Sequence, residues 1–237
     1  AEFNTRSHPA QIKLIVEELT AHRLVLLQTR QQIRAQNAVA LPNPLAPNPS
    51  PPGGRGELSF FPFSLTHAQQ RVIQEVRHDL VQKTPMLRLV QGDVGSGKTV
   101  IAAAAAVQAI QAGYQAALMA PTELLAEQHF RTLSQWLMPQ GMTVHLLTGS
   151  TTAAARAKLQ GYLDTGTPCL LIGTHALFQG AVQYPRLALV MIDEQHRFGV
   201  RQRLALSEKN AAFTPHQLLL TATPIPRTLA MSAYADL

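Results

Sequence analysis

A glycine-rich stretch in the first half of the chain has the residue types that binding of phosphate groups requires. Residues 92–99 read Gly-Asp-Val-Gly-Ser-Gly-Lys-Thr, after an apolar run and before an alanine-rich stretch of helical character. Glycines let the backbone curl so that its N–H groups point at phosphate oxygens, and the amino end of the following helix attracts negative charge. The spacing predicts a P-loop. The alternative is a glycine-rich turn whose lysine binds nothing.

All residues of this loop are expected to contact a nucleoside triphosphate: Gly92, Asp93, Val94, Gly95, Ser96, Gly97, Lys98 and Thr99. Lys98 should reach the β and γ phosphates, and Thr99 should offer its hydroxyl group to Mg²⁺. Lys98 is therefore a candidate catalytic residue as well as a binding residue.

Two adjacent carboxylates follow a second apolar run, at residues 187–192. A carboxylate at the end of a buried strand can hold Mg²⁺ through water against the phosphates of a bound nucleotide. We expect Asp193 to orient the metal shell and Glu194 to polarise the attacking water as general base. An Asp-Glu pair is common on protein surfaces, but here it ends an apolar strand downstream of a P-loop. The pattern predicts a nucleoside triphosphatase.

Short apolar runs alternate with amphipathic stretches from residue 60 onward, as in a mostly parallel sheet flanked by crossover helices. This predicts an α/β fold. Strands are expected at residues 86–91, 116–120, 143–147, 169–173, 187–192 and 217–221. Helices are expected at residues 66–82, 98–112, 123–137 and 151–163.

The first 58 residues have a different character. Apolar side chains between Ile12 and Ile33 follow helical spacing, which predicts a helix of about 25 residues that docks on another part of the protein. Six prolines and three glycines then interrupt residues 41–58, which predicts a disordered linker. We therefore divide the chain into an amino-terminal helical segment at 1–40, a linker at 41–58 and an α/β lobe at 59–237.

Composition gives weaker indications. The formal charge of +6 suits a polyanionic partner such as nucleic acid, although many proteins without such a partner reach it. The single cysteine, Cys169, lies in an apolar run and is interpreted as a core residue of a protein from a reducing compartment such as the cytoplasm. No run is long enough for a membrane span, and the nine histidines lack the spacing of a zinc site.

The segment Asp193-Glu194-Gln195-His196 resembles motif II of superfamily 2 helicases and translocases. Further motifs of that family occur in order: motif Ia at 120–129, a short motif at Thr148-Gly149, motif Ib at Gly173-Thr174-His175, and motif III at Thr221-Ala222-Thr223-Pro224. The segment 63–69 resembles the adenine-reading Q motif, in which Gln69 would pair with the base. An alternative for that segment is a plain helix start capped by Thr66.

Two longer strings, at residues 196–203 and 224–231, resemble the RecG family, and related strings occur in the transcription-repair factor Mfd. Glu123, Gln195 and the ending at 232–237 favour RecG. The resemblance covers the chain from about residue 8 to its end and implies a RecA-like lobe that uses ATP and Mg²⁺. It also implies a DNA partner, in the form of forks and Holliday junctions, and no membrane partner; we expect a monomer.

The resemblance further implies roles for single residues. Expected DNA-phosphate contacts are Pro121, Thr122, Glu123, Thr148, Gly149, Gly173, Thr174 and His175. Expected coupling residues, which pass nucleotide state to the DNA surface, are Gln195, His196, Thr221, Ala222 and Thr223. Purely structural roles remain open, because Thr122 could simply cap its helix and His175 could be a hydrogen-bonded loop histidine.

The family completes its ATP site with arginines from a second lobe, which we expect to be missing from this chain. An arginine finger can contribute about 10³ to 10⁵ in turnover, so the chain alone is expected to hydrolyse little ATP. Two alternatives stay open: an Mfd-like translocase acting on stalled RNA polymerase, and a nucleotide-dependent DNA-binding lobe with no motor activity.

Overall fold

The computed structural model describes residues 37–42, 61–178, 182–194 and 213–222, which all lie in one compact unit. Its helices are α1 His67–Leu80, α2 Lys98–Gln111, α3 Glu123–Leu137 and α4 Ala153–Asp164. Its strands are β1 Leu87–Gln91, β2 Gln115–Met119, β3 Val144–Leu147, β4 Leu170–Gly173, β5 Leu187–Asp193 and β6 His216–Thr221. Short 3-10 helices occupy Met138–Gln140 and His175–Phe178. The predicted helix at 12–33 lies outside the described residues.

The six strands form one sheet in the order β1-β6-β5-β2-β4-β3, and every neighbouring pair is parallel. The prediction of an α/β fold with a mostly parallel sheet is confirmed. Because all strands run the same way, their carboxyl ends lie along a single edge of the sheet. In open parallel sheets this is the edge at which ligands bind.

Burial explains why the strands could be read from the sequence. All seven residues of β5 are buried, as expected for a strand covered on both faces. Helix α2 is buried along most of its length, and its alanines 102–106 are each at most 1% exposed. Small side chains let this helix approach the sheet closely, so the segment that follows the P-loop is held firmly in the core.

Residues 37–42 pack on the lobe near the amino ends of β1 and β6. The Leu41 side chain is fully buried, its N–H donates to the Leu80 carbonyl oxygen (2.8 Å), and its own carbonyl oxygen accepts from Gln108 Nε2 (2.7 Å). His216 accepts from the Met86 N–H at Nδ1 (3.0 Å) and donates through Nε2 to the Val39 carbonyl oxygen (2.9 Å). The composition changes at Leu41, yet Leu41 itself belongs to the packed lobe. Residues 43–58 lie outside the described residues.

Cys169 is fully buried at the start of β4, and burial raises the pKa of its thiol to about 12. The thiol therefore stays protonated near neutral pH and behaves as a small apolar group. This confirms the interpretation of Cys169 as a core residue. None of the described helices has both the length and the hydropathy of a membrane-spanning segment.

Candidate functional site

The P-loop connects β1 to α2 in a backbone conformation that only glycine adopts easily. Gly95 and Gly97 have φ values of +83° and +89°, in the left-handed region, and Gly97 is the N-cap residue directly before α2. The Ser96 N–H donates to the Asp93 carbonyl oxygen (3.1 Å), which closes the turn. Asp93, Val94, Gly95 and Ser96 are exposed, and Val94 is 90% exposed. The loop is thus open to a ligand from solvent.

The Lys98 side chain folds back over this loop. Its Nζ donates to the carbonyl oxygens of Gly92 (2.7 Å) and Asp93 (2.9 Å). The positive charge therefore lies at the loop, where phosphate oxygens can replace these carbonyl oxygens as acceptors. Thr99 follows at the second position of α2 and is half-buried.

Gln69 contacts the P-loop and caps α1 at the same time. Its Oε1 accepts from the Thr66 N–H (3.0 Å), while Thr66 Oγ1 accepts from the Gln69 N–H (3.2 Å). Its Nε2 donates to the Ser96 carbonyl oxygen (3.0 Å), and a Cβ at position 97 would collide with that nitrogen. The helix start capped by Thr66 is therefore present, and the same cap holds Gln69 against the P-loop, while its pairing with adenine stays a prediction.

The two carboxylates stand at the end of β5. Asp193 Oδ1 accepts from the Glu194 N–H (3.0 Å), and Oδ2 lies 2.7 Å from His129 Nε2. Glu194 has φ +52°, which is uncommon for a residue with a side chain and costs on the order of 1–3 kcal/mol. Backbone strain of this kind concentrates at functional sites. Gln195 and His196 lie outside the described residues.

The sheet brings the P-loop and the carboxylates to one edge. Strand β6 lies between β1 and β5, and Leu220 pairs with Val90 on one side and with Asp193 on the other. Strands are about 4.8 Å apart, so the Cα atoms of Val90 and Asp193 are about 10 Å apart. Thr221 ends β6, and its carbonyl oxygen accepts from the Gly92 N–H (3.2 Å). Ala222 follows at intermediate exposure, and Thr223 is outside the described residues.

These residues fit a magnesium-bound triphosphate. The loop offers N–H groups and left-handed glycines, Lys98 offers an ammonium group, and Thr99 and Asp193 offer the oxygen ligands that Mg²⁺ prefers. A single ligand of that size can reach both sides of β6.

The remaining motifs follow the other three strands, β2, β4 and β3. Sheet order therefore separates them from the nucleotide motifs at the ends of β1, β6 and β5. Thr122 precedes α3, and its Oγ1 accepts from the Leu125 N–H (3.3 Å), so this hydroxyl group caps the helix. Pro121 is partly exposed and Thr122 is exposed.

Glu123 ties two of these motifs together. Its Oε1 accepts from the Ser150 N–H (3.2 Å) and its Oε2 accepts from Ser150 Oγ (3.0 Å). A Cβ at Gly149 would lie 2.9 Å from Glu123 Oε1, so a side chain there would disturb this contact. The structure therefore gives the Glu123 carboxylate a role in holding this loop, and its expected contact with DNA stays a prediction.

The other predicted phosphate contacts differ in exposure. Thr148 and Thr174 are 4% and 3% exposed, so neither hydroxyl group is freely accessible. Gly173 lies where β3 and β4 approach so closely that a Cβ would collide with the Leu147 carbonyl oxygen. His175 and Gly149 are exposed and can meet a ligand.

Sequence reasoning missed two residues of this edge. Ser150 is exposed beside Gly149. The signal for it in the sequence was a polar residue directly after the Thr-Gly motif. His129 contacts Asp193. It comes seven residues after Thr122 in the motif Ia segment, and this helical spacing was a signal that His129 lies on the same side of the helix as Thr122.

Comparison with known proteins agrees with this geometry. Residues 66–232 match the model of the DEAD/DEAH box helicase family. The chain is 52% identical to ATP-dependent DNA helicase RecG of Escherichia coli K12, over 100% of this chain and 34% of that protein. It is 51% identical to RecG of Haemophilus influenzae, over 97% of this chain and 33% of that protein. The resemblance to RecG is confirmed, and the chain spans about a third of the length of these relatives.

A solved structure of RecG bound to a three-way DNA junction is also similar. The TM-score is 0.77 at 38% identity, and the match covers 93% of this chain and 28% of that one. The expected RecA-like lobe of a helicase is therefore supported by both sequence and fold.

Proposed function

Since this chain belongs to the DEAD/DEAH box helicase family, we propose that it is the first motor lobe of an ATP-dependent DNA translocase. The observation that carries the proposal is the order of strands. Nucleotide motifs follow β1, β6 and β5, and the motifs expected to grip DNA follow β2, β4 and β3, along one edge of one sheet. Neighbouring strands β5 and β2 join the two halves.

In the nucleotide half, the P-loop N–H groups and Lys98 would bind the phosphates, and Thr99 and Asp193 would hold Mg²⁺. Bound Mg²⁺-ATP supplies the free energy of hydrolysis and an electrophilic γ phosphate. Glu194 would orient and deprotonate the attacking water. Gln69 would read the adenine from its place beside Gly97, after its amide leaves the Ser96 carbonyl oxygen.

In the DNA half, exposed groups at Thr122, Gly149, Ser150 and His175 would contact the phosphate backbone. Such contacts are blind to sequence and sensitive to salt. The similar RecG structure contains a three-way junction, which supports branched DNA as the substrate of the longer protein. We infer that such a protein drives fork regression and branch migration of Holliday junctions.

The other expectations remain part of this proposal. Residues 1–40 would be the tail of a branch-recognising region, with its end packed on the lobe, and 59–237 would be the motor lobe of a monomeric bacterial cytoplasmic protein. The linker predicted at 41–58 would begin only after residue 42, because Leu41 is buried in the lobe. Gln195, His196, Thr221, Ala222 and Thr223 would link the two halves. The Mfd-like alternative gains no support, because the relatives described above are RecG proteins.

The test measures ATP hydrolysis by a longer polypeptide in which this chain is followed by a second RecA-like lobe, with and without branched duplex DNA. We expect DNA to stimulate hydrolysis, and Lys98→Ala to lower turnover by about 10²- to 10³-fold, as loss of one charge-stabilising donor does elsewhere. Lys158→Ala, which changes an exposed lysine of α4, is the matched control. Normal turnover in Lys98→Ala would refute the proposed site.

A further inference from the structure

A histidine outside the nucleotide motifs makes the shortest described side-chain contact to the carboxylate that is expected to hold Mg²⁺. His129 Nε2 lies 2.7 Å from Asp193 Oδ2, and the two side chains are only 12% and 13% exposed. An ionised carboxylate is purely an acceptor, so Nε2 carries the proton and donates to Asp193. At this depth the hydrogen bond is shielded from competing water.

This contact helps to set the orientation of the carboxylate. Oδ1 accepts from the Glu194 N–H (3.0 Å) while Oδ2 accepts from His129, so both oxygens of Asp193 have a donor. One donor is the N–H of Glu194, the next residue in the chain, so it moves with Asp193. The other belongs to α3 and, within the part of the chain that the structure describes, it is the hydrogen bond that ties the carboxylate to a different element.

The amino end of α3 lies at the surface that is expected to meet DNA. There, exposed Thr122 caps the helix and Glu123 holds the loop of Gly149 and Ser150 through two hydrogen bonds. Helix α3 is a continuous helix, and β2 before it pairs directly with β5. A movement of its amino end is therefore carried as a rigid body to His129.

We propose that His129 is a positioning residue that couples DNA contact at the amino end of α3 to the orientation of the Asp193 carboxylate. The inference rests on the proposed function. Hydrogen bonds weaken steeply with distance and angle, so a small shift of α3 changes how firmly Oδ2 is held. DNA then alters the affinity for Mg²⁺-nucleotide, and by linkage Mg²⁺-nucleotide alters the affinity for DNA by the same factor.

The experiment uses the longer polypeptide with a second lobe and measures the dissociation constant of a fluorescent ADP. The constant is measured with and without Mg²⁺, and with and without blunt duplex DNA. In the unsubstituted protein, DNA is expected to change the Mg²⁺-ADP constant by at least about fivefold, the lower end of common couplings. In His129→Ala, DNA is expected to change the Mg²⁺-ADP dissociation constant by less than about twofold. Affinity for ADP without Mg²⁺ is expected to stay unchanged.

Two further variants separate coupling from folding. His129→Phe keeps the ring volume but removes the N–H donor, so it is expected to lose the coupling even if His129→Ala does not fold. His129→Gln keeps an N–H near the position of Nε2 and is expected to restore most of it. His78→Ala, at an exposed histidine of α1, is the matched control and is expected to keep the full factor.

A merely structural role of His129 predicts a different result, in which every variant lowers thermal stability and the coupling factor is unchanged. Coupling that persists in His129→Phe, or that is absent from the unsubstituted protein while both ligands bind, overturns the inference and leaves the proposed function standing. Failure of the unsubstituted protein to bind Mg²⁺-ADP and DNA overturns both.

Discussion

Joining this chain to a second RecA-like lobe is expected to raise its ATP turnover by about 10³- to 10⁵-fold. The reason is charge: an arginine stabilises the negative charge that develops on the transferred phosphoryl group, and we expect the second lobe to supply it. The measurement is steady-state phosphate release by the 237-residue chain and by the longer polypeptide, each with saturating DNA.

The control for this prediction is nucleotide binding. Both polypeptides should bind Mg²⁺-nucleotide through Lys98, and we expect the shorter one to bind more weakly because it lacks the contacts that a second lobe would add. Vigorous DNA-stimulated hydrolysis by the shorter chain, abolished by Lys98→Ala, would show that one lobe suffices and that the second is not needed for chemistry.

Glu194→Gln is expected to lower turnover of the two-lobed polypeptide by about 10²- to 10⁴-fold, the usual contribution of a general base. Glutamine has nearly the same size and suffers the same strain at φ +52°, so the fold should be unchanged. Affinity for Mg²⁺-nucleotide should change little, because Asp193 and not Glu194 is expected to hold the metal. Single-turnover hydrolysis and equilibrium nucleotide binding measure the two effects separately.

Glu75→Gln provides a matched control, since Glu75 is an exposed carboxylate of α1 that pairs with Arg88 (2.7 Å) and lies outside the helicase motifs. It should hydrolyse ATP at the unsubstituted rate. If Glu194→Gln also retains turnover within a few fold, the base lies elsewhere and the strained backbone at this position needs another explanation.

Most of the fold could be predicted because its signals are local. Each predicted strand agrees with the structure to within one residue at either end, since doubly buried parallel strands are continuous apolar runs. Helix α3 was predicted at 123–137 and occupies Glu123–Leu137, because Thr122 caps it and an apolar stripe continues to Leu137. The P-loop could be predicted for the same reason, because its glycines are the residues that adopt the required backbone conformation easily.

Contacts between distant segments could not be predicted in this way. The hydrogen bonds of Leu41 with Leu80 and Gln108 join segments that are far apart in the sequence, and no local pattern in either segment indicates the contact. His129 reaches Asp193 only because β5 pairs with β2, which is a fact of sheet order rather than of periodicity. The hydrogen bonds between Glu123 and Ser150 could not be predicted either, because they depend on how the loop after β3 packs against the start of α3.

We propose that Thr99 and Asp193 share one magnesium ion from opposite sides of β6. A double-mutant cycle tests it most directly: Mg²⁺-dependent nucleotide affinity is measured for Thr99→Ala, Asp193→Asn and the pair. Two ligands of one ion should be coupled, so the double variant should lose less than the sum of the single losses, and without Mg²⁺ the differences should disappear. Fully additive losses, or losses that persist without Mg²⁺, would contradict a shared ion.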